Sequence, residues 1–342
     1  MPREKLTIGS VGVGPMGTIL SGCLAEAGAE IIVADLPHRI AQVKQHGLQV
    51  VRGARQFNYL VRTVDSIRSL KHAHPDCIIV ATKACVLNTI MPEVAEAAGN
   101  DCLVISAQNG IGTEDVIARY VPPENVARMV INYAAECDEM GAAHVAWFNP
   151  PNFFGHFVTD GDPRLEAIVH MLDSVHVPTG FVDSRTIKQK AFFKTILNSA
   201  LMPICAVMGL TMREALEGGA TRKLAADLVG EGLAVAERLG YDYGENISER
   251  CMEYLEKGGD HHPSMFMDLR DKRPTEIEFL NGKILDIGRA FEDLSLEVNR
   301  ILVSLIMAWE VRNGTRDPEN IPCYLVGRPT ADDHCYKPAI QV

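Results

Sequence analysis

The sequence lacks several patterns that define common classes of protein. Basic residues are not in excess, since 33 Lys and Arg stand against 44 Asp and Glu for a formal net charge of −11, which argues against a general nucleic-acid-binding protein. No C-x-x-C pair occurs, so neither a zinc ribbon nor a thioredoxin-like site is indicated. The absence of H-E-x-x-H and of G-x-S-x-G removes support for a zinc protease and for a serine hydrolase. No bound metal is expected.

The sequence also contains no recognisable signal for export or for membrane insertion. The N-terminal stretch MPREKLTIGSVGVG has too short an apolar run for a signal peptide. We expect no segment to supply the ~20 apolar residues of a transmembrane helix. The nine cysteines are scattered and odd in number, which fits reduced thiols better than a disulfide framework. A cytoplasmic protein without membrane or nucleic-acid partners is therefore predicted.

The length of 342 residues suits two folded domains. In the first half, short apolar runs alternate with helical stretches, a pattern typical of a parallel sheet covered by helices. The predicted strands lie at residues 6–13, 30–34, 77–81, 103–106 and 126–132, and the predicted helices at 19–27 and 86–98. The predicted fold class is α/β, with an N-terminal Rossmann-type doubly wound parallel sheet.

The second half changes character after about residue 183, because strand-like runs become rare. An all-helical domain is predicted there, with helices at residues 188–207, 221–239, 247–256, 276–291 and 298–312. Several prolines follow residue 316, so we expect an irregular tail. The predicted organisation is a dinucleotide-binding domain at residues 1–183, a helical domain at 184–316 and a tail at 317–342.

A glycine-rich turn, GVGPMG, follows the first predicted strand. In a βαβ unit with this G-x-G-x-x-G spacing, Gly12 allows the tight turn, Gly14 lets the backbone approach a pyrophosphate, and Gly17 lets the helix pack closely. Pro15 and Met16 begin the helix, whose free N–H groups and positive dipole end suit phosphates. The alternative is a glycine-rich loop of an unrelated fold, but the flanking strand and helix favour dinucleotide binding.

Asp35 ends the second predicted strand, at the usual distance of roughly 20 residues for the acid that binds the ribose. A carboxylate accepts hydrogen bonds from the 2′- and 3′-hydroxyls of NAD and repels the 2′-phosphate of NADP. His38 and Arg39 follow closely, and an arginine in this place can accommodate that phosphate. On balance the sequence favours NAD(H) over NADP(H).

A second group of polar residues lies in the helical half. Lys194 and Asn198 are spaced i, i+4 in the apolar stretch KTILNSALMPICAVMG, so they point to one side of a helix. From the pattern alone, a lysine whose stem covers apolar surface is the simpler interpretation, and a lysine facing a cleft is the alternative. Further on, Thr275 and Glu278 have capping-box spacing, which would make Glu276 an exposed acid in a first helical turn.

The chain resembles the ketopantoate reductase family, the 2-dehydropantoate 2-reductases, from Gly12 to about Arg312. The resemblance rests on GVGPMG, ATKA, QNG, K-x-x-x-N, P-S-M-x-x-D-x-R and, most specifically, R-P-T-E-I-x-x-L-N-G. It implies a Rossmann domain, a helical domain that binds substrate and forms a homodimer, and an active site in the cleft between them. It also implies an NAD(P)-dependent oxidoreductase that acts on a CH–OH group.

Roles for individual residues are implied by this resemblance alone. It makes Lys194 the general acid and Glu276 the residue that orients substrate and lysine. It places Asn109 near the nicotinamide and the substrate, and Lys83 at the cofactor edge of the cleft. The further residues that it assigns to substrate binding are Asn198 and Ser264.

Two positions depart from the family's pattern. Met202 stands where members usually carry an asparagine that contacts substrate, which suggests a substrate with a more apolar side. Asp35 stands where NADPH-using members tend to carry a basic residue. The favoured reaction is reduction of ketopantoate to pantoate, the (R)-2-hydroxy acid of pantothenate biosynthesis. A D-2-hydroxyacid dehydrogenase of the mandelate type and a non-catalytic NAD-binding regulatory protein are the open alternatives.

Overall fold

The computed structural model describes residues 5–326. The chain forms two compact units: the first combines the residues up to Gln108 with Gly112–Lys190, and the second combines Asn109–Ile111 with the chain from Ala191 onward. The predicted domain boundary at residues 183 and 184 coincides with the start of a helix, Ser184–Met208, that begins in the first unit and ends in the second. The assignment of Asn109–Ile111 to the second unit was not predicted from the sequence.

Strands and helices alternate in the first unit, and helices make up the second. In chain order the strands are β1 (Thr7–Val11), β2 (Glu30–Ala34), β3 (Leu48–Arg52), β4 (Arg55–Tyr59), β5 (Arg62–Thr63), β6 (Cys77–Val80), β7 (Leu103–Ser106), β8 (Val126–Val130), β9 (Tyr133–Cys137), β10 (Ala143–Phe148), β11 (Asn152–His156) and β12 (Thr179–Phe181). The helices are α1 (Pro15–Glu26), α2 (Pro37–His46), α3 (Leu87–Ala98), α4 (Thr113–Ile117), α5 (Pro163–Ser174), α6 (Ser184–Met208), α7 (Met212–Glu217), α8 (Gly219–Arg238), α9 (Ile247–Glu256), α10 (Ser264–Arg270), α11 (Asn281–Gly288), α12 (Glu297–Asn313) and α13 (Cys323–Val326).

The main sheet has eight strands in the order β12-β11-β8-β7-β6-β1-β2-β5. Neighbouring strands are parallel except for β8 and β11. β1 has β2 on one side and β6 on the other, so the chain adds strands first in one direction and then, after β5, in the opposite one. Every residue of β1, β6 and β7 is buried, as expected for central parallel strands. The predicted doubly wound sheet is confirmed.

A second sheet, with the order β4-β3-β10-β9, is not predicted by the sequence. Its strands give a weak signal because β4 reads RQFNY and β10 is largely exposed, so neither shows a regular apolar alternation. β3, β9 and β10 all contact α1, and residues 17–24 of that helix are all buried. The second sheet therefore encloses α1 and fixes where its N-terminus lies.

From residue 191 to residue 326 the regular elements of the second unit are all helices, as predicted. α9 coincides with its predicted range, and α8 and α12 lie close to theirs. The single helix predicted at residues 276–291 is wrong, because a 3-10 turn is separated from α11 by Leu280, whose φ of −105° and ψ of −106° are not helical. The segment predicted to be an irregular tail contains α13, and its part after residue 326 lies outside the described residues.

Helix α6 is long and apolar enough to cross a membrane when judged by length and composition, with a mean hydropathy of 1.5 over its most apolar window. The expectation that no segment passes this test is therefore wrong. The rest of the protein buries 72% of that window, which is the pattern of a core helix in a soluble protein.

A buried ion pair joins β8 to α4 in the first unit. Arg128 and Glu114 lie 2.9 Å apart with 4% and 8% of their side chains exposed. Arg128 also donates hydrogen bonds to Thr113 Oγ1 at 2.8 Å and to the Gln108 carbonyl at 3.0 Å. The ion pair therefore holds the chain at Gln108, the residue before Asn109.

We expect the substitution Arg128→Met to lower the free energy of unfolding by about 3–5 kcal/mol, because Glu114 is left as an unpaired buried charge. Urea unfolding followed by circular dichroism measures this loss. Arg62→Met is the matched control, since Arg62 pairs with Glu30 on an exposed part of the same sheet and its loss should cost at most about 1 kcal/mol. Equal losses in the two variants would contradict the importance of the buried pair.

Candidate active site

The turn after β1 has the close backbone packing that its glycines predict. Gly12 has a φ of +91°, and a Cβ there would lie 2.8 Å from the Thr82 amide nitrogen. A Cβ on Gly17 would lie 2.1 Å from the Gly12 carbonyl oxygen, so only glycine lets α1 pack on the turn. At Gly14 no atom lies within 4 Å of the Cβ position, which leaves that side of the turn open to a ligand.

This turn lies at the place where sheets of this type bind nucleotides. The connections after β1 and β6, two adjacent parallel strands, leave in opposite directions along the sheet. Such a switch point opens a crevice at the carboxyl ends of the strands. α1 begins there with Pro15, and no side-chain hydrogen bond caps its N-terminus. N–H groups that no side chain caps at a helix start suit a pyrophosphate, so the residues present fit a dinucleotide.

Tyr133 of β9 ties the first turn of α1 to the second sheet. Its hydroxyl donates to the Met16 carbonyl at 3.1 Å, and the ring is buried. This bond gives the unpredicted sheet a direct part in fixing the start of the helix. The sequence offered no signal for it, because the bond depends on a strand that the pattern does not show.

Asp35 follows β2 and is bonded to the glycine turn. Its carboxylate accepts hydrogen bonds from the N–H groups of Val13 at 2.5 Å and Leu36 at 2.6 Å. Arg39 donates to the Val13 carbonyl at 2.5 Å and to Gln42 Oε1 at 2.8 Å. The guanidinium is thus already bound to groups of the protein, beside the carboxylate that ends β2.

The connections after β6 and β7 carry Lys83 and Gln108. Lys83 is half-buried and precedes a 3-10 turn. Gln108 is buried, and its Nε2 donates to the Thr82 carbonyl at 3.1 Å. Gln108 therefore joins the ends of two neighbouring strands. The sequence analysis did not predict this role, although the position of Gln108 in the QNG motif was a signal for it.

Asn109 and Glu276, which lie in distant motifs, meet in the second unit. The Asn109 Nδ2 group donates to Glu276 Oε2 at 3.5 Å, and Glu276 is only 4% exposed. The next two residues are anchored on the same segment: Ile111 donates its N–H to the Phe279 carbonyl at 2.9 Å, and a Cβ on Gly110 would lie 2.3 Å from that oxygen. Asn109, Gly110 and Ile111 are thereby fixed against the segment that carries the carboxylate.

The chain on either side of Glu276 is held by a buried carboxylate and an arginine. Thr275 donates through its N–H and its hydroxyl to Glu310 Oε1, at 2.8 and 2.7 Å. Arg316 bridges Glu310 at 2.7 Å and Glu278 at 3.0 Å. The predicted capping box of Thr275 and Glu278 is therefore wrong, because both side chains have other partners. The interpretation of Glu276 as an exposed acid is wrong as well.

Lys194, Asn198 and Met202 form a stripe at i, i+4 spacing along α6. Lys194 and Asn198 are half-buried, and Met202 is 8% exposed. Met202 belongs to an apolar cluster that also contains Ile277. Because Ile277 directly follows Glu276, this cluster packs the Met202 end of the stripe against the segment that carries the carboxylate.

Ser264 is the most exposed of the predicted site residues. It begins α10, and its neighbour Met265 is buried in the same apolar cluster as Met202. The structure thus places the start of α10 beside the stripe on α6, with the serine at its surface.

Candidate metal ligands do not assemble in the described part of the chain. Within residues 5–326 no three His, Cys, Asp or Glu side chains are grouped so as to hold a metal ion. The eight cysteines of that range are free thiols, and Cys335 lies outside it.

The fold and the glycine turn define a two-unit dinucleotide-binding protein. Residues 8–157 match the family described as ketopantoate reductase PanE/ApbA, and residues 186–310 match the ketopantoate reductase PanE/ApbA C-terminal domain. The chain therefore belongs to the ketopantoate reductase family and is a nicotinamide-dependent oxidoreductase acting on a CH–OH group. The family and reaction class predicted from the sequence are confirmed.

Curated relatives agree with this assignment. The chain is 26% identical over 310 residues to the 2-dehydropantoate 2-reductase of Pyrococcus abyssi, a match that covers 90% of this chain and 98% of the relative. It is 25% identical over 303 residues to the enzyme of the same name from Archaeoglobus fulgidus, covering 88% and 96%.

Solved structures share the fold. D-mandelate dehydrogenase, in a ternary structure with NADH and anilino(oxo)acetate, is similar with a TM-score of 0.80 and 23% identity, covering 91% of this chain and 100% of that chain. A PanE/ApbA family ketopantoate reductase from Ralstonia eutropha JMP134 has a TM-score of 0.79 and 22% identity, covering 90% and 100%.

The open side of Gly14 gives a test of the dinucleotide site. We expect Gly14→Ala to keep the melting temperature near that of the wild type, because the added methyl group meets no protein atom within 4 Å. The same methyl should weaken NADH binding about 10-fold, because the backbone must approach the pyrophosphate closely at this glycine. Titration of NADH fluorescence measures the affinity.

The matched control for this test is Gly230→Ala. Gly230 lies in α8 and likewise has nothing within 4 Å of its Cβ position. This variant should bind NADH like the wild type. Wild-type affinity in Gly14→Ala would mean that phosphates do not approach the turn at this point.

Proposed function

We propose that the protein reduces a 2-keto acid to the (R)-2-hydroxy acid, with ketopantoate as the favoured substrate and pantoate as the product. The observation that carries this proposal is the contact of Asn109 with the buried Glu276, since the family resemblance assigns both residues to one site. The shared name of the curated relatives supports ketopantoate.

The proposed chemistry centres on the oxygen of the keto group, which becomes negatively charged during reduction. A bound reduced nicotinamide supplies the hydride. The Lys194 ammonium donates a hydrogen bond to that oxygen, stabilises its charge and then transfers a proton to it. Glu276 orients the lysine and the substrate, and the amide of Asn109 limits the positions that this carboxylate can take.

Substrate contacts distinguish the two candidate reductases. Asn198 and Ser264 offer hydrogen-bonding groups for the carboxylate or the hydroxyl of a 2-keto acid. Met202 offers a buried thioether instead of an amide, which favours a more apolar side chain. On this observation the second candidate is a D-2-hydroxyacid dehydrogenase of the mandelate type, and the shared fold of D-mandelate dehydrogenase is compatible with it.

We infer that NAD(H) is preferred to NADP(H). Asp35 places a carboxylate at the end of β2, where it accepts from the ribose hydroxyls and repels a 2′-phosphate. Arg39, the residue that would attract such a phosphate, is bonded to the Val13 carbonyl and to Gln42. Lys83, at the end of β6, is proposed to contact the cofactor. A cytoplasmic homodimer without nucleic-acid or membrane partners remains a prediction.

The activity is tested by following nicotinamide absorbance with NADH or NADPH and each of three keto acids: ketopantoate, phenylglyoxylate and 2-ketoisovalerate. Efficient turnover of ketopantoate supports pantoate formation. Turnover of phenylglyoxylate or 2-ketoisovalerate alone, with NADH preferred, supports the mandelate-type enzyme. No turnover of any keto acid, together with intact NADH binding, would favour the non-catalytic alternative.

The same assay tests the general acid. We expect Lys194→Met to lower kcat by about 10²–10⁴-fold, the usual contribution of a positioned proton donor. Lys188→Met is the matched control on the same helix, because Lys188 is also half-buried and lies over the Phe157 ring at 4.5 Å. A wild-type kcat in the Lys194→Met variant would contradict the proposed role of Lys194 as general acid.

Cofactor preference is tested at Asp35. We expect Asp35→Ser to lower the preference for NADH over NADPH by about 10-fold or more in kcat/KM, because the repulsion of the 2′-phosphate is lost. Asp65→Ser is the control, since Asp65 is an exposed acid of the same unit that pairs with Lys44. An unchanged preference in the Asp35 variant would show that another group selects the cofactor.

A further inference from the structure

Helix α6 contains a carbonyl group that its own backbone cannot satisfy. Pro203 has no N–H, so the carbonyl of the residue four positions earlier, Ser199, loses its helical hydrogen bond. Asn281 supplies the missing donor from outside the helix: its Nδ2 donates to the Ser199 carbonyl at 3.0 Å. Both residues are buried, where an unpaired carbonyl would be costly.

The Asn281 amide is itself held by a chain of hydrogen bonds that begins in the buried interior. Its Nδ2 also donates to Asn299 Oδ1 at 2.9 Å. Asn299 in turn donates to Glu231 Oε2 through its Nδ2 at 2.7 Å and through its backbone N–H at 2.9 Å. Since both Nδ2 bonds of Asn281 go to fixed acceptors, the amide has one orientation, and a charged carboxylate anchors the far end of the chain.

This bond connects the two elements on which the proposed catalytic groups lie. Asn281 is the asparagine of the R-P-T-E-I-x-x-L-N-G stretch that contains Glu276, and Ser199 directly follows Asn198 on the helix that carries Lys194. A shift of α11 relative to α6 would therefore change the distance between the carboxylate and the lysine.

We propose that Asn281 is a positioning residue, which uses the carbonyl freed by Pro203 to set the geometry of Glu276 relative to Lys194 and Asn198. The inference rests on the proposed function, since it assumes that these three residues act on one substrate. Small errors in the placement of reacting groups reduce rates strongly. Loss of the Asn281 bond should therefore act on kcat more than on cofactor binding.

The test is a double-mutant cycle of Asn281→Leu and Pro203→Ala, with the keto acid that the wild type turns over. Asn281→Leu should lower kcat at least about 10-fold and shift the pH profile of kcat, while the KM for NADH stays within about 2-fold. In the Pro203→Ala background the helix regains its own donor to Ser199. The same substitution should then cost clearly less, so the two effects are not additive.

A milder pair of variants and a matched control complete the design. Asn281→Ser in both backgrounds keeps the cycle measurable if Asn281→Leu does not fold. Asn313→Leu removes a similar bond of the same unit, from Asn313 Nδ2 to the Leu269 carbonyl at 2.9 Å, and should leave the pH profile of kcat unchanged.

The outcomes separate this inference from the proposed function. Lower melting temperatures with a wild-type kcat per folded molecule would overturn the positioning role and leave the reductase intact. Additive effects of Asn281→Leu and Pro203→Ala would overturn the link through the Ser199 carbonyl. A wild type that reduces no keto acid would instead refute the proposed function, and the positioning role with it.

Discussion

The first unit is built around a place where two backbone turns touch. The turn at Gly12 runs against Thr82 with no room for a side chain, and Gly17 brings α1 equally close to the same turn. The start of the helix is fixed there, at the switch point between β1 and β6. The second sheet then packs against α1 through β3, β9 and β10. The shape of the glycine turn in this unit is thus mainly a matter of backbone geometry.

The second unit has to keep carboxylates inside a mostly apolar, helical structure. Burial of a charge is costly unless hydrogen bonds replace water, and each acid here has such partners. Glu310 accepts from Thr275 and Arg316, and Glu276 accepts from Asn109. In the R-P-T-E-I-x-x-L-N-G stretch, the residues around Glu276 therefore hold the chain in place by hydrogen bonds. Its threonine, its second glutamate and its asparagine each fasten the chain to a different neighbour.

The sequence predicted those features whose signal is local. Buried parallel strands appear as apolar runs, and the glycine turn needs glycine at fixed spacing, so β1, β2, β7 and the glycine turn could be predicted directly. The second sheet could not, because β4 and β10 are partly exposed and pair with strands far away in the chain. The break at Leu280 was missed because the helical pattern continues through it, while tertiary hydrogen bonds of Thr275 and Glu278 override the local capping signal.

The candidate site in the second unit could be proposed only through the family resemblance. Nothing in the local pattern shows that Asn109 belongs to the second unit, since its partner Glu276 lies 167 residues further along the chain. In the same way, Pro203 and Asn281 look unrelated in the sequence. Their connection appears only when the hydrogen bonds of α6 are followed one by one.

The two tryptophans are divided between the two units. Trp147 lies on β10 of the second sheet and is partly exposed, whereas Trp309 lies on α12 and packs against the apolar cluster around Met202. Each unit therefore carries its own intrinsic fluorophore, and the two differ in solvent exposure. A protein in which either one is replaced by phenylalanine reports the unfolding of the other unit alone, without any attached dye.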